Sequence, residues 1–64
     1  MSIAWKVREK AGWFFLEGAV HYVADQYGPF IQAGAFETAD QAWRFARSGT
    51  AAAIVVDANA ARVA

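Results

Sequence analysis

Apolar and polar positions alternate at the start of the chain, with Ile3, Trp5 and Val7 on one parity and Ala4, Lys6 and Arg8 on the other. That is the period of a half-buried strand. After Glu9, Lys10, Ala11 and Gly12 comes the run Trp13, Phe14, Phe15, Leu16 and Glu17, whose aromatic content predicts a second strand. A hairpin is the economical connection. Its turn is either the two residues Ala11 and Gly12 or the four from Glu9 to Gly12, and the two registers differ by two positions. Both give the same faces: Trp5 and Val7 share a side with Phe14 and Leu16, while Lys6 and Arg8 share the other with Trp13, Phe15 and Glu17.

Between Gly18 and Pro29 the pattern loosens. Val20, His21, Tyr22 and Val23 either extend the second strand or form a short one of their own, and Gly28 and Pro29 bring turn chemistry. A weak third strand is expected from Phe30 to Phe36, with Gly34 marking a bulge or a close approach. Thr38, Ala39, Asp40 and Gln41 then spell a capping box, so a helix is predicted from Thr38. Its apolar stripe is Ala39, Ala42, Trp43 and Ala46, its solvent side carries Gln41, Arg44 and Arg47, and Phe45 lies off the stripe. Gly49 stands where a left-handed residue would end that helix. The apolar run Ala53 to Val56 within Thr50 to Asp57 reads as a covered central strand, and residues 58–64 as a frayed tail or a single helical turn. The sum is one α+β domain over residues 1–64: a small antiparallel sheet of three to four strands with one helix packed on one face, in the order β-β-(β)-α-β, Trp43 meeting Trp5, Val7, Phe14 and Leu16.

Composition narrows what such a domain does. A chain of 64 residues encloses one core, and at this size stability usually needs disulfides, a metal, a second subunit or dense aromatic packing. With no Cys, and His21 as the sole imidazole, neither a disulfide nor a structural metal is expected, and no cofactor. Aromatic residues make up 16% of the chain, a large supply of core for its size. Six Lys and Arg balance six Asp and Glu, so no global field draws the protein to phosphates or to an anionic membrane. The absence of Cys is compatible with a reducing cytoplasm. Lys6, Arg8, Glu9 and Lys10 interrupt the order a secretory leader needs, and Ala51 to Val56, the longest apolar stretch, is far short of a membrane span. The expected location is cytoplasmic.

Catalysis is not expected. A nucleophile, base and orienting group would have to come from His21, a few hydroxyls and six scattered carboxylates. Glu37 and Asp40 answer to helix-start electrostatics, Glu17 to pairing with Lys6 or its neighbours, and His21, between Val20 and Tyr22, to a structural role. No glycine-rich phosphate loop exists. Binding chemistry is richer. On the outward side of the hairpin Lys6 and Arg8 alternate with the rings of Trp13 and Phe15, an arrangement suited to cation-π stacking, and Tyr22 and Tyr27, with Phe30, bracket the Gly28-Pro29 turn. The candidate contact surface is therefore Lys6, Arg8, Trp13, Phe15, Tyr22 and Tyr27. Trp13 and Phe15 are otherwise covered by the loop from Ala19 to Pro29 or by a twin subunit.

The stretch Ala35 to Val56, AFETADQAWRFARSGTAAAIVV, with Phe36, Thr38, Ala42 and Ala46 as its marks, resembles a strand-helix-strand module of very small bacteriophage-encoded proteins, anti-CRISPR inhibitors among them. The resemblance covers about a third of the chain and implies no particular functional residue. It implies a stoichiometric inhibitor that occludes a site on a larger host protein or ribonucleoprotein complex in the bacterial cytoplasm. Many such inhibitors are acidic DNA mimics, and this neutral chain departs from them. Beside that leading reading stand two others: a single-stranded nucleic-acid-binding protein using the aromatic and basic face, against which the balanced charge argues, and a structural homo-oligomer, a homodimer being the simplest.

Overall fold

The computed structural model describes residues 2–63, and the side chains of residues 2–61. Strands β1 (Ser2–Lys10), β2 (Trp13–His21) and β3 (Ile31–Phe36) are followed by helices α1 (Ala39–Ala46) and α2 (Gly49–Val63). The sheet is an antiparallel meander in the order β1-β2-β3. The two-residue turn is the one adopted, since Lys10 pairs with Trp13. Ala11 and Gly12 both take positive φ, 54° and 82°, as the twist-matched type I′ turn requires. Lys6 then faces Glu17, Val7 faces Leu16 and Trp5 faces Gly18, which gives the face assignment expected from the sequence.

The third strand forms, and Gly34 carries both of its anticipated marks. The β2-β3 register shifts between Leu16 and Glu17, so that Leu16 faces Gly34 and Glu17 faces Gln32. Ala33 is the extra residue of the bulge. The Phe36 ring folds back over Gly34, where a Cβ would lie 2.8 Å from the ring.

The C-terminal third departs from expectation. In place of a central strand at Thr50 to Asp57 followed by a frayed tail or a single helical turn at 58–64, Gly49–Val63 form one continuous helix, α2, residue 64 lying outside the described residues. A short apolar run is ambiguous between strand and buried helix, and here six alanines between Ala51 and Ala61, the residue with the strongest helix propensity, decide the matter. Ser48 supplies the start signal: its Oγ accepts from the Ala51 amide at 3.3 Å and donates to the Phe45 carbonyl at 2.7 Å, so one hydroxyl closes α1 and caps α2. Gly49 accordingly opens a helix and is not a left-handed terminus; Arg47 ends α1 in the right-handed region.

Both helices lie on the inner face of the sheet, so the order is β-β-β-α-α and the cover is a helix pair. Leu16, Val20, Ala33, Ala42, Ala51 and Val55 are buried together, with Ile3, Trp5, Val7, Ile31, Phe36, Phe45 and Ala46 packed around them. Alanines at the contact points let the helices approach closely. The start of α1 is as expected, the Gln41 amide donating to Thr38 Oγ1 at 3.1 Å, while Gln41 Oε1 accepts from the Glu37 amide at 3.2 Å. Its apolar stripe is rotated. Trp43, expected at the centre of the core, stays 42% exposed, and Phe45 takes the inward place, its ring 5.4 Å from that of Phe36. The partner of Trp5 is instead α2: the ring lies across Gly18 beside Val55. No helix among the described residues is long and apolar enough to cross a membrane.

Candidate functional site

With both helices on one side, the other side of the sheet is left without helical cover. Strand alternation and the observed register assemble it: Lys6, Arg8 and Lys10 from β1, Trp13, Phe15, Glu17 and His21 from β2, Gln32 and Ala35 from β3. At its centre Glu17, whose side chain is only 12% exposed, accepts from Arg8 Nη2 at 3.1 Å and lies 3.7 Å from Lys6 Nζ. The cations anticipated there are thus already shared by one carboxylate.

The cation-π contact forms with a different ring from those expected. Lys6 Nζ sits 4.0 Å from the centroid of Phe30, which the loop after β2 brings onto this face. Phe15 is half-buried, directly opposite Arg8, and Trp13, beside the turn, is 47% exposed. Loop cover reaches the far end of the face and stops there. Tyr27 bridges to His21 and stacks on its ring at 4.7 Å between centroids, and Ala19 beside them is fully buried. The loop itself is pinned at both ends by backbone bonds, Tyr22 N–H to Gln26 O at 3.0 Å and Gly28 N–H to Val20 O at 2.8 Å.

His21 is occupied structurally. Its Nε2 faces the Ala24 carbonyl at 2.6 Å and must donate there, because a carbonyl only accepts. Nδ1 lies 3.3 Å from Ser2 Oγ and accepts from that hydroxyl. The ring therefore ties the start of β1 to a turn in which Ala24 is held at a φ of 50°.

Of the six residues singled out from the sequence, five share this outer side: Lys6, Arg8, Trp13, Phe15 and Tyr27. Tyr22 does not. It has the parity of Val20, on the helix side, and its hydroxyl accepts from Asn59 Nδ2 on α2. There it acts as a latch between loop and helix. Phe30 is the member of the face that the sequence does not reveal, because its place over Lys6 depends on the path of the loop before β3. The described residues contain no cluster of His, Cys, Asp or Glu able to hold a metal, and no enclosed pocket. The surface is an open plane of rings around two cations that share one carboxylate.

Compared with known protein families, with characterised proteins and with solved structures, the chain finds no match.

Proposed function

We propose that this is a non-catalytic binding module that presents the outer sheet face to a protein partner and acts by occluding a site on it. The observation that carries the reading is the Arg8-Glu17-Lys6 cluster. One carboxylate partly offsets both central cations, which weakens their pull on a phosphate backbone, and it sets them among the rings Trp13, Phe15, Phe30 and Tyr27. Rings surrounding paired charges resemble the centre of a protein interface, where aromatic anchors and Arg are enriched. The partner has apolar side chains to set against Trp13 and Phe15 and a carboxylate or carbonyl to meet Lys10, which has no acid opposite it in the register. Small size still recommends a bacterial defence complex as the first partner class to screen, although the stretch that carried the resemblance ends in α2 and not in a strand.

The test is capture from nuclease-treated bacterial lysate on the immobilised protein, in low and in physiological salt, followed by titration of the purified partner. Salt-insensitive binding lost in the Trp13→Ala, Phe15→Ala double variant is the expected result. Binding that survives the double variant, or binding that collapses with salt and with nuclease, would retire the reading in favour of another surface or of nucleic acid.

A further inference from the structure

The sheet has two edges, and they differ. β3 is six residues long and bulged at Ala33. β1 runs nine residues with no bulge and no Pro, and among the described residues it pairs with β2 alone. A long, regular, open edge is a template for another strand.

The turn fixes which backbone groups that edge offers. Lys10 and Trp13 flank a two-residue type I′ turn and so form the hydrogen-bonded pair next to it. Alternation from there directs the peptide groups of Arg8, Lys6 and Ala4 toward β2, and those of Ile3, Trp5, Val7 and Glu9 outward. The outward set carries the half-buried apolar row Ile3, Trp5 and Val7, which packs against the core from one side only. Free amides and unfinished apolar burial therefore coincide on the same residues.

We infer that a second copy of this chain pairs with β1 antiparallel about a two-fold axis, Trp5 facing Trp5 of the second copy. The charge pattern is compatible with a second copy as the occupant and selects its register. Centring the pair on Lys6 sets Lys6 against Lys6, centring it on Val7 sets Lys6 against Arg8, and centring it on Arg8 sets Arg8 against Arg8; like charges directly opposite are destabilising. Centring on Trp5 instead sets Ile3 against Val7, Ala4 against Lys6 and Ser2 against Arg8, with no like charges opposed. Every hydrogen bond of that ladder uses an outward group of Ile3, Trp5 or Val7. A register centred on Ala4 also avoids like charges, but it leaves Val7 outside the ladder. The result is a continuous six-stranded sheet with both helix pairs on one side, an isologous interface of the commonest symmetry. It extends the burial of a domain too small to enclose much core of its own, and it joins the two outer faces into one.

This inference is independent of the reading of the outer face and leaves Trp13 and Phe15 untouched. Sedimentation of the intact chain at high micromolar concentration should give twice the 7.0 kDa chain mass. A synthetic chain with N-methyl-Val7 loses an outward donor while keeping its side chain and its bonds to β2; it should be folded by circular dichroism and half the mass. Because the chain has no cysteine, register is read by mixing Ala4→Cys with Lys6→Cys: disulfides should join the two variants, with little self-linking of either alone. A monomer at all concentrations, a dimer unaffected by N-methyl-Val7, or self-linking of Lys6→Cys in preference to the mixed product would overturn the proposal.

Discussion

Gly18→Ala makes the sharpest test of how the sheet meets α2. Gly18 sits mid-strand with unstrained backbone, so alanine there would ordinarily stabilise by about 0.4 to 1 kcal/mol through a less disordered unfolded chain. Here the added Cβ would lie 2.7 Å and 2.8 Å from Trp5 Cζ3 and Cε3 and 3.0 Å from Val55 Cγ2, against a favourable carbon-carbon separation of about 3.5 to 4.0 Å. The indole must move away by most of an ångström, and Val55, fully buried on α2, blocks its retreat. Overpacking of this kind costs about 1 to 3 kcal/mol, so the net expectation is a loss of roughly 1 to 2 kcal/mol. At ~4 to 8 °C per kcal/mol for a domain of this size, thermal unfolding followed by far-ultraviolet circular dichroism should shift down by several degrees. In a Trp5→Leu background the contacts with the indole disappear, leaving only the 3.0 Å approach to Val55 Cγ2, so the loss caused by Gly18→Ala should shrink markedly, a coupling that a double-mutant cycle measures. An unchanged or raised melting temperature in the wild-type background, or the same loss in both backgrounds, would show that the indole does not lie on Gly18.

Three further outcomes are expected. Phe45→Ala should cost about 2 kcal/mol or more as a packed ring, near the low end for aromatic truncation because the site is only half-buried, whereas Trp43→Ala, at an exposed position, should stay within about 1 kcal/mol in urea unfolding; the reverse order would restore Trp43 to the core. Ala11→Asn, matching the residue preferred at a positive φ in a type I′ turn, should stabilise by roughly 0.5 to 1 kcal/mol, and a drop in the urea midpoint would contradict the turn geometry. Glu17→Gln removes the carboxylate shared by Lys6 and Arg8; stability should fall by about 1 kcal/mol, and binding to a single-stranded oligonucleotide at low salt should rise severalfold over wild type. Equal binding of the two proteins would mean that Glu17 does not hold those cations out of reach.

The hairpin was legible because alternation fixes faces whichever turn is used, and the helix start at Thr38 because capping is local chemistry. What failed was decided by tertiary packing or by a residue with two readings. Trp43 fits an i, i+3, i+4 stripe with Ala39 and Ala42, yet the space beside the sheet suits Phe45 against Phe36, and periodicity alone does not distinguish rotations of so short a helix. Gly49 suits a helix end as well as the first turn of another helix, and the hydroxyl of Ser48 beside it decides between them; Ala51 and Val55, four residues apart, then fall on one helical face. At the candidate site, parity alone placed Lys6, Arg8, Trp13 and Phe15 together. Phe30 and Tyr22 depend on the path of the 22–30 loop, which no short-range pattern encodes: Phe30 returns over Lys6, and Tyr22 is drawn to Asn59 on the opposite side.

Because each strand of the meander pairs with the strand next to it in the chain, the sheet can be laid down in order, and it is the helices, α2 beside Trp5 and Gly18 among them, that must reach back to early residues. Neighbouring pairings of this kind keep the loop-closure cost of the sheet low. The tight turn at Ala11 can zip β1 to β2 while later residues are still leaving the ribosome.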